Sequence, residues 1–152
     1  MLLRIEVGVS SRSFATVQKS FMSELEAAFR SLAEGFQLNG PEAGGTVIPV
    51  ATYHDRGMRI RIMLDTADKA VSTRIETDLN GVKLVAGLED LVVAAGLASR
   101  NVIRENAVNL HNLKASLHTQ AEHVERIWPQ IKSVDGINLM RQAGAREWTI
   151  RD

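Results

Sequence analysis

The segment VSTRIETDLNGVKLV, residues 71–85, decides whether the middle of this chain is helical or a sheet. Val71, Thr73, Ile75, Thr77 and Leu79 alternate with polar residues, the period of a strand with one buried face, whereas Ala67, Val71, Ile75 and Leu79 also fit one helix stripe. Asn80-Gly81 breaks the tie, because a two-residue hairpin needs positive φ at both central positions and this pair adopts it at least cost. Residues 82–85 then return as a second strand. Toward the N-terminus, Met58, Ile60, Ile62 and Leu64 alternate with Arg59 and Arg61, preceded by the turn residues His54, Asp55, Arg56 and Gly57. Residues 46–53 are rich in β-branched side chains, and Pro49, which has no amide to donate, predicts an edge strand there. The glycine-rich stretch 39–45 reads as a connection. The sum is an antiparallel meander of about four strands.

Outward from that meander, Leu3, Ile5, Val7 and Val9 alternate with Arg4, Glu6 and Gly8 and predict a first strand. Phe14, Val17, Phe21, Leu25, Phe29, Leu32 and Phe36 recur every three or four residues and predict an amphipathic helix, with Gly35 placed to end it. After the meander, Leu88, Leu91, Val92 and Ala95 give a short helix closed by Gly96. Residues 99–128 contain neither Gly nor Pro and predict one uninterrupted helix, about 43 Å long at 1.5 Å per residue. A short helix over 137–143, stopped by Gly144, and a last strand at Trp148-Thr149-Ile150 complete the tail. The expected class is α+β: a small antiparallel β-meander with an N-terminal β-α unit and a C-terminal long helix plus short helices. It forms one domain over 1–152, with the strand-helix-meander part at 1–86 and a mainly helical part at 87–152.

The 152 residues are 45% hydrophobic and 24% charged, a globular composition, and 18 basic residues balance 18 acidic ones. No whole-molecule field therefore draws the chain to nucleic acid or anionic lipid. The absence of cysteine excludes disulfides, thiolate metal sites and cysteine nucleophiles. Charge interrupts the apolar residues at the start, and no apolar run reaches the roughly 20 residues of a membrane span, so a cytoplasmic protein without a membrane partner is expected.

Written in sevens, Ile103, Leu110, Leu117, Val124 and Ile131 fall at one position of the long helix, and Asn106, Leu113, Gln120 and Ile127 at another. A maintained seven-residue repeat keeps one seam against a partner helix, and Asn or Gln in the seam can fix register. Strands of five to nine residues span roughly 17–30 Å, so a 43 Å helix should overhang the sheet. An overhanging apolar stripe tends to find another surface. The expected function is thus a non-enzymatic interaction or assembly subunit that associates with itself or another protein through Ile103, Asn106, Leu110, Leu113, Leu117, Gln120, Val124 and Ile127. Against this, the flanking positions lack alternating charges and resemble a wide apolar face that could lie within one subunit.

Two other readings compete. Residues 88–106 resemble a helix-turn-helix, with Gly96 in the turn; that resemblance implies DNA binding through Ser99, Arg100, Asn101 and Arg104. Strand, helix, meander and long helix are also the inventory of a pocket that grips a small apolar ligand. Catalysis finds little to stand on. His111, His118 and His123 lack the spacing of paired helical metal ligands, and the pairs Asp65/Asp68 and Glu76/Asp78 read as strand ends and exposed faces. His54-Asp55 has no evident third member, and the glycine-rich loop lacks the Lys and Ser/Thr of a phosphate loop. No metal, cofactor or enzymatic activity is assigned.

Overall fold

Two-residue hairpins build most of the sheet. The computed structural model describes residues 2–150, with side chains from Phe14 to Ile150. Its elements are α1 (Leu2–Gly35), β1 (Asn39–Gly44), β2 (Val50–Asp55), β3 (Met58–Asp65), β4 (Ala70–Leu79), β5 (Val82–Gly87), α2 (Leu88–Ala94), α3 (Leu110–Lys132), α4 (Gly136–Gln142) and β6 (Arg146–Thr149). Asn80 and Gly81 take φ +51° and +79°, and Arg56 and Gly57 +45° and +80°, so both tight hairpins carry the positive φ pair that matches strand twist. All six strands form one antiparallel sheet in the order β1-β2-β3-β4-β5-β6. The expected α+β class and its antiparallel meander are present.

One face of the sheet carries the core. Ile60, Ile62 and Leu64 of β3, Val71 and Ile75 of β4, and Leu84 and Ala86 of β5 point to the same side and are buried. Over them lie α1, through Val17, Phe21, Leu25, Phe29 and Leu32, and α3, which packs on both α1 and β4. Phe29 stacks on Tyr53 of β2 at 5.8 Å between centroids, fixing α1 to the β2 side. The opposite face alternates out with Arg59, Arg61, Arg74, Glu76 and Lys83.

Four elements differ from the sequence expectations. Residues 3–9 are helical and belong to α1. Local alternation there loses because no strand of the sheet pairs with it, and lengthening an existing helix adds one hydrogen bond per residue without a new nucleus. That helix ends with Gln37, not Gly35, in the left-handed region at φ +54°, where Leu38 donates its amide to the Ala33 carbonyl at 2.8 Å. Stretch 39–45 is not merely a connection but contains the edge strand β1. Consequently β2 is an inner strand; Pro49 lies just before it and uses only its carbonyl, which accepts the Leu64 amide at 3.0 Å.

The long helix starts at Leu110 instead of 99 and runs to Lys132, about 35 Å. β4 is longer than β5, leaving its first residues unpaired on one side, and the chain at 105–107 fills that gap. Val71 donates to Glu105 O at 2.8 Å, Ala107 donates to Lys69 O at 2.9 Å, and Ala70 bridges Asn106. Extended backbone there is incompatible with helix, and Asn109 caps α3 by accepting the Asn112 amide at 2.9 Å. Pro129 sits inside the helix, four residues after Glu125; both are exposed, so the carbonyl that loses its amide partner faces water.

Candidate binding face on the sheet

The residues expected to dock a partner are mostly inside the molecule. Leu113, Leu117, Gln120, Val124 and Ile127 are each 0% exposed, enclosed by α1 and the sheet of their own chain. Leu110 and Ile103 are half-buried, Asn106 is exposed, and the latter two precede the helix. α3 buries Ser116, Ala121, His123 and Trp128 beside the seven-residue stripe, because α1, α2, α4 and β4 all pack against it. The overhang on which external docking rested is therefore not formed by this helix. Gln120 has a structural role: it accepts from Thr73 Oγ1 at 2.7 Å and donates to Val71 O at 2.8 Å and Arg104 O at 2.7 Å. It locks the 104–107 segment between helix and sheet.

The two-helix geometry implied by residues 88–106 is not formed either. α2 ends at Ala94, Gly96 turns the chain at φ +73°, and residues 98–109 contain no helix to enter a groove. Arg100 is held by Asp90 at 2.8 Å, and the Asn101 amide donates to Glu89 Oε1 at 2.6 Å. Ser99 and Arg104 are exposed in the same irregular segment. The space in which an apolar ligand would be gripped, between helices and sheet, is filled by Phe21, Phe29, Tyr53, Ile60 and Trp128.

What the sheet leaves uncovered by helices is its outer face, and here charge is concentrated. β-Pairing sets Glu42 against Thr52, Thr52 against Arg61, and Arg61 against Arg74; the next row runs His54, Arg59, Glu76, Val85, Arg146. Lys83 pairs with Trp148 in the row beyond. Glu76 lies at the centre with 1% exposure, 2.9 Å from Arg59 Nε, 3.2 Å from Arg61, 3.4 Å from Lys83 and 3.6 Å from Arg74. Arg59 is fully engaged, because its other two nitrogens also fork onto Asp78 at 2.8 and 2.9 Å.

Burial alone would raise the Glu76 carboxyl, but the Arg59 hydrogen bond and the charges of Arg61, Lys83 and Arg59 outweigh it and hold it below the ordinary carboxylate range. The same Arg59 hydrogen bond lowers Asp78. One carboxylate cannot satisfy four cations. The Nε atoms of Arg61 and Arg74 are buried without a hydrogen-bond partner among the described residues, and Arg146 makes no ion pair among them. Counted over the face, Arg59, Arg61, Arg74, Lys83 and Arg146 stand against Glu42, Glu76 and Asp78, an excess of two positive charges on a molecule neutral overall.

A groove of about 440 Å³ opens at the β6 end of this face, floored by Met63, Ser72 and Val85 and walled by Arg74, Arg146 and Trp148 on one side and Glu89, Asp90 and Ile103 on the other. Trp148 is 49% exposed, with Lys83 its direct cross-strand neighbour. Glu105 joins Glu89 and Asp90 on the far wall, so carboxylates beside apolar groups suit only the β6 side, where Lys83 and Arg146 flank the half-exposed indole.

Glu76 corrects an expectation: it is neither on an exposed face nor part of a hard-cation pair, but is neutralised by arginines. Asp65 instead closes its own turn, accepting the Ala67 and Asp68 amides at 3.0 Å. His111 and His118 are exposed, while His123 is buried and its Nδ1 lies 2.8 Å from Thr119 O. No group of three or more His, Cys, Asp or Glu able to hold a metal occurs among the described residues, nor does a helix long and apolar enough to cross a membrane. The arginine cluster was missed in the sequence, although Arg59/Arg61 and Arg74/Glu76/Asp78 share the polar phase of neighbouring strands and a register through Asn80-Gly81 would have grouped them. Comparison of the chain with protein-family models, curated proteins and solved structures finds no match.

Proposed function

We propose that this protein is a non-enzymatic interaction module, and that its docking surface is the outer face of the sheet, which takes an acidic segment of a partner protein. The observation that carries this reading is the unbalanced cluster around Glu76: four cations within ion-pair distance of one buried carboxylate, with the buried Arg61 Nε lacking a hydrogen-bond partner among the described residues and the Arg74 Nε left with only its 3.6 Å ion pair to Glu76. Desolvated donors with no hydrogen bond or only a long one are costly in the free protein, and a carboxylate-bearing ligand relieves that cost. A protein segment fits better than nucleic acid. Duplex DNA carries one charge per roughly 1.7 Å and needs a long basic track, whereas this cluster is bounded by Glu42 and Asp78 and by Glu89 and Asp90.

The test uses a capped eight-residue peptide with glutamate at alternate positions and valine or threonine between, titrated into the full chain by calorimetry. Binding that weakens about tenfold or more in the double variant Arg61→Glu/Arg74→Glu, and also as salt rises, is the expected result. No binding to the wild type at millimolar peptide, or tighter binding of an oligonucleotide duplex than of the peptide, would overturn the reading.

A further inference from the structure

We infer that the acidic segment joins the sheet as a seventh strand, paired to the free edge of β6. This inference rests on the docking surface proposed above and specifies how the segment is held. The two edges of the sheet are not equivalent. β1 is interrupted by Pro41, which cannot donate, and its register slips between Asn39 and Glu42, so it offers no regular row of donors. β6 has no proline, keeps register with β5 from Arg146 to Thr149, and all four of its residues are exposed.

The direction of its backbone groups follows from one hydrogen bond. Ile150 donates to Gly81 O at 2.6 Å, so Ile150 faces β5, and in an antiparallel ladder so do the alternate residues Trp148 and Arg146. The amides and carbonyls of Glu147 and Thr149 therefore point away from the sheet. A strand added there forms hydrogen bonds with Glu147 and Thr149, and its residues opposite Arg146 and Trp148 lie on the outer face. An acidic side chain opposite Arg146 pairs with it, and one opposite Trp148 reaches past the indole toward Lys83, its cross-strand neighbour, whereas Arg74 on β4 lies three strand spacings of about 4.8 Å away. Side chains of the other phase meet Glu147, whose carboxylate Arg141 already holds at 3.0 Å. Acid at alternate positions is thus what this edge selects.

A second copy of the chain is the less suitable occupant. It would bring only a four-residue edge, far less than the roughly 800 Å² per partner of a stable dimer, and would place two sets of cations on one continuous face.

The experiment compares the alternating glutamate peptide with the same peptide N-methylated at the residues whose amides would meet β6, using calorimetry and amide hydrogen exchange on the full chain. N-methylation is expected to weaken binding at least about tenfold, and the parent peptide to slow exchange of the Glu147 and Thr149 amides. Thr149→Pro, which removes an amide the free protein does not use in its ladder, is expected to weaken the parent peptide to a similar degree. Equal binding of both peptides with unchanged exchange at those amides overturns the strand-addition inference while leaving face docking intact. Absence of binding by the parent peptide overturns face docking itself. A dimer of the free protein that Thr149→Pro dissociates overturns the inference in favour of a second copy.

Discussion

Glu76 allows the structural and recognition roles of the cationic cluster to be separated, because they respond to its neutralisation with opposite signs. In Glu76→Gln the four cations lose their central anion, and since removing one partner of a buried ion pair leaves uncompensated charge, stability should fall. The cations are 20–37% exposed and water screens them, so the expected loss in urea unfolding is about 2–3 kcal/mol, below the range for a fully enclosed pair. The acidic peptide, by contrast, should bind more tightly, because Glu76 no longer competes for Arg61 and Arg74. The pH dependence follows from the same group. Its folded-state pKa is lowered, so its contribution is fully present above the unfolded carboxylate value near about 4.3 and is lost as pH falls through the folded value. Asp78, also lowered, acts in the same direction. Wild-type stability should drop below about pH 4.3 more steeply than that of Glu76→Gln. Equal stability of the two proteins across that window would show that the cluster contributes nothing to the fold.

α3 shows why one element can be recognised in a sequence and still be assigned the wrong neighbour. The seven-residue stripe Leu110, Leu113, Leu117, Gln120, Val124 and Ile127 was visible, and so was the width of the apolar face around it. Periodicity reports that a face is buried but not by what. Here α1, β4, α2 and α4 cover it, and the breadth contributed by Ser116, Ala121, His123 and Trp128 was the mark of a helix with several intramolecular neighbours. Its start was misplaced because residues 99–109 contain no helix breaker; the competing force is tertiary, the backbone hydrogen bonds from 105–107 to the unpaired end of β4. The hairpins, by contrast, were legible in Asn80-Gly81 and Arg56-Gly57, where turn chemistry is local. Leu117→Asp tests the position of α3. It buries a charge at a site with 0% exposure, at a cost of about 4 kcal/mol or more, a large part of an ordinary domain's stability. Circular dichroism in urea should show the cooperative transition weakened or gone. A folded variant of unchanged stability and smaller assembly mass would instead place the stripe on an external interface.

The molecule as a whole divides its labour between two faces of one sheet. The inner face, with α1 and α3, supplies the core; the outer face, bordered by α2 only at the groove, gathers an excess of cations on its strands in a chain with no net charge. That asymmetry was latent in the sequence as the polar phase of β3, β4 and β5, but only strand register brings Arg61, Arg74, Lys83 and Arg146 together. Nitrogen-15 chemical-shift mapping during titration with the alternating glutamate peptide tests this division most directly. The account predicts that the largest shifts fall on Lys83, Val85, Glu147, Trp148 and Thr149, with the outward face of α3 at Glu122, Glu125 and Arg126 unmoved. Shifts centred on those α3 residues, or none anywhere at millimolar peptide, would contradict it.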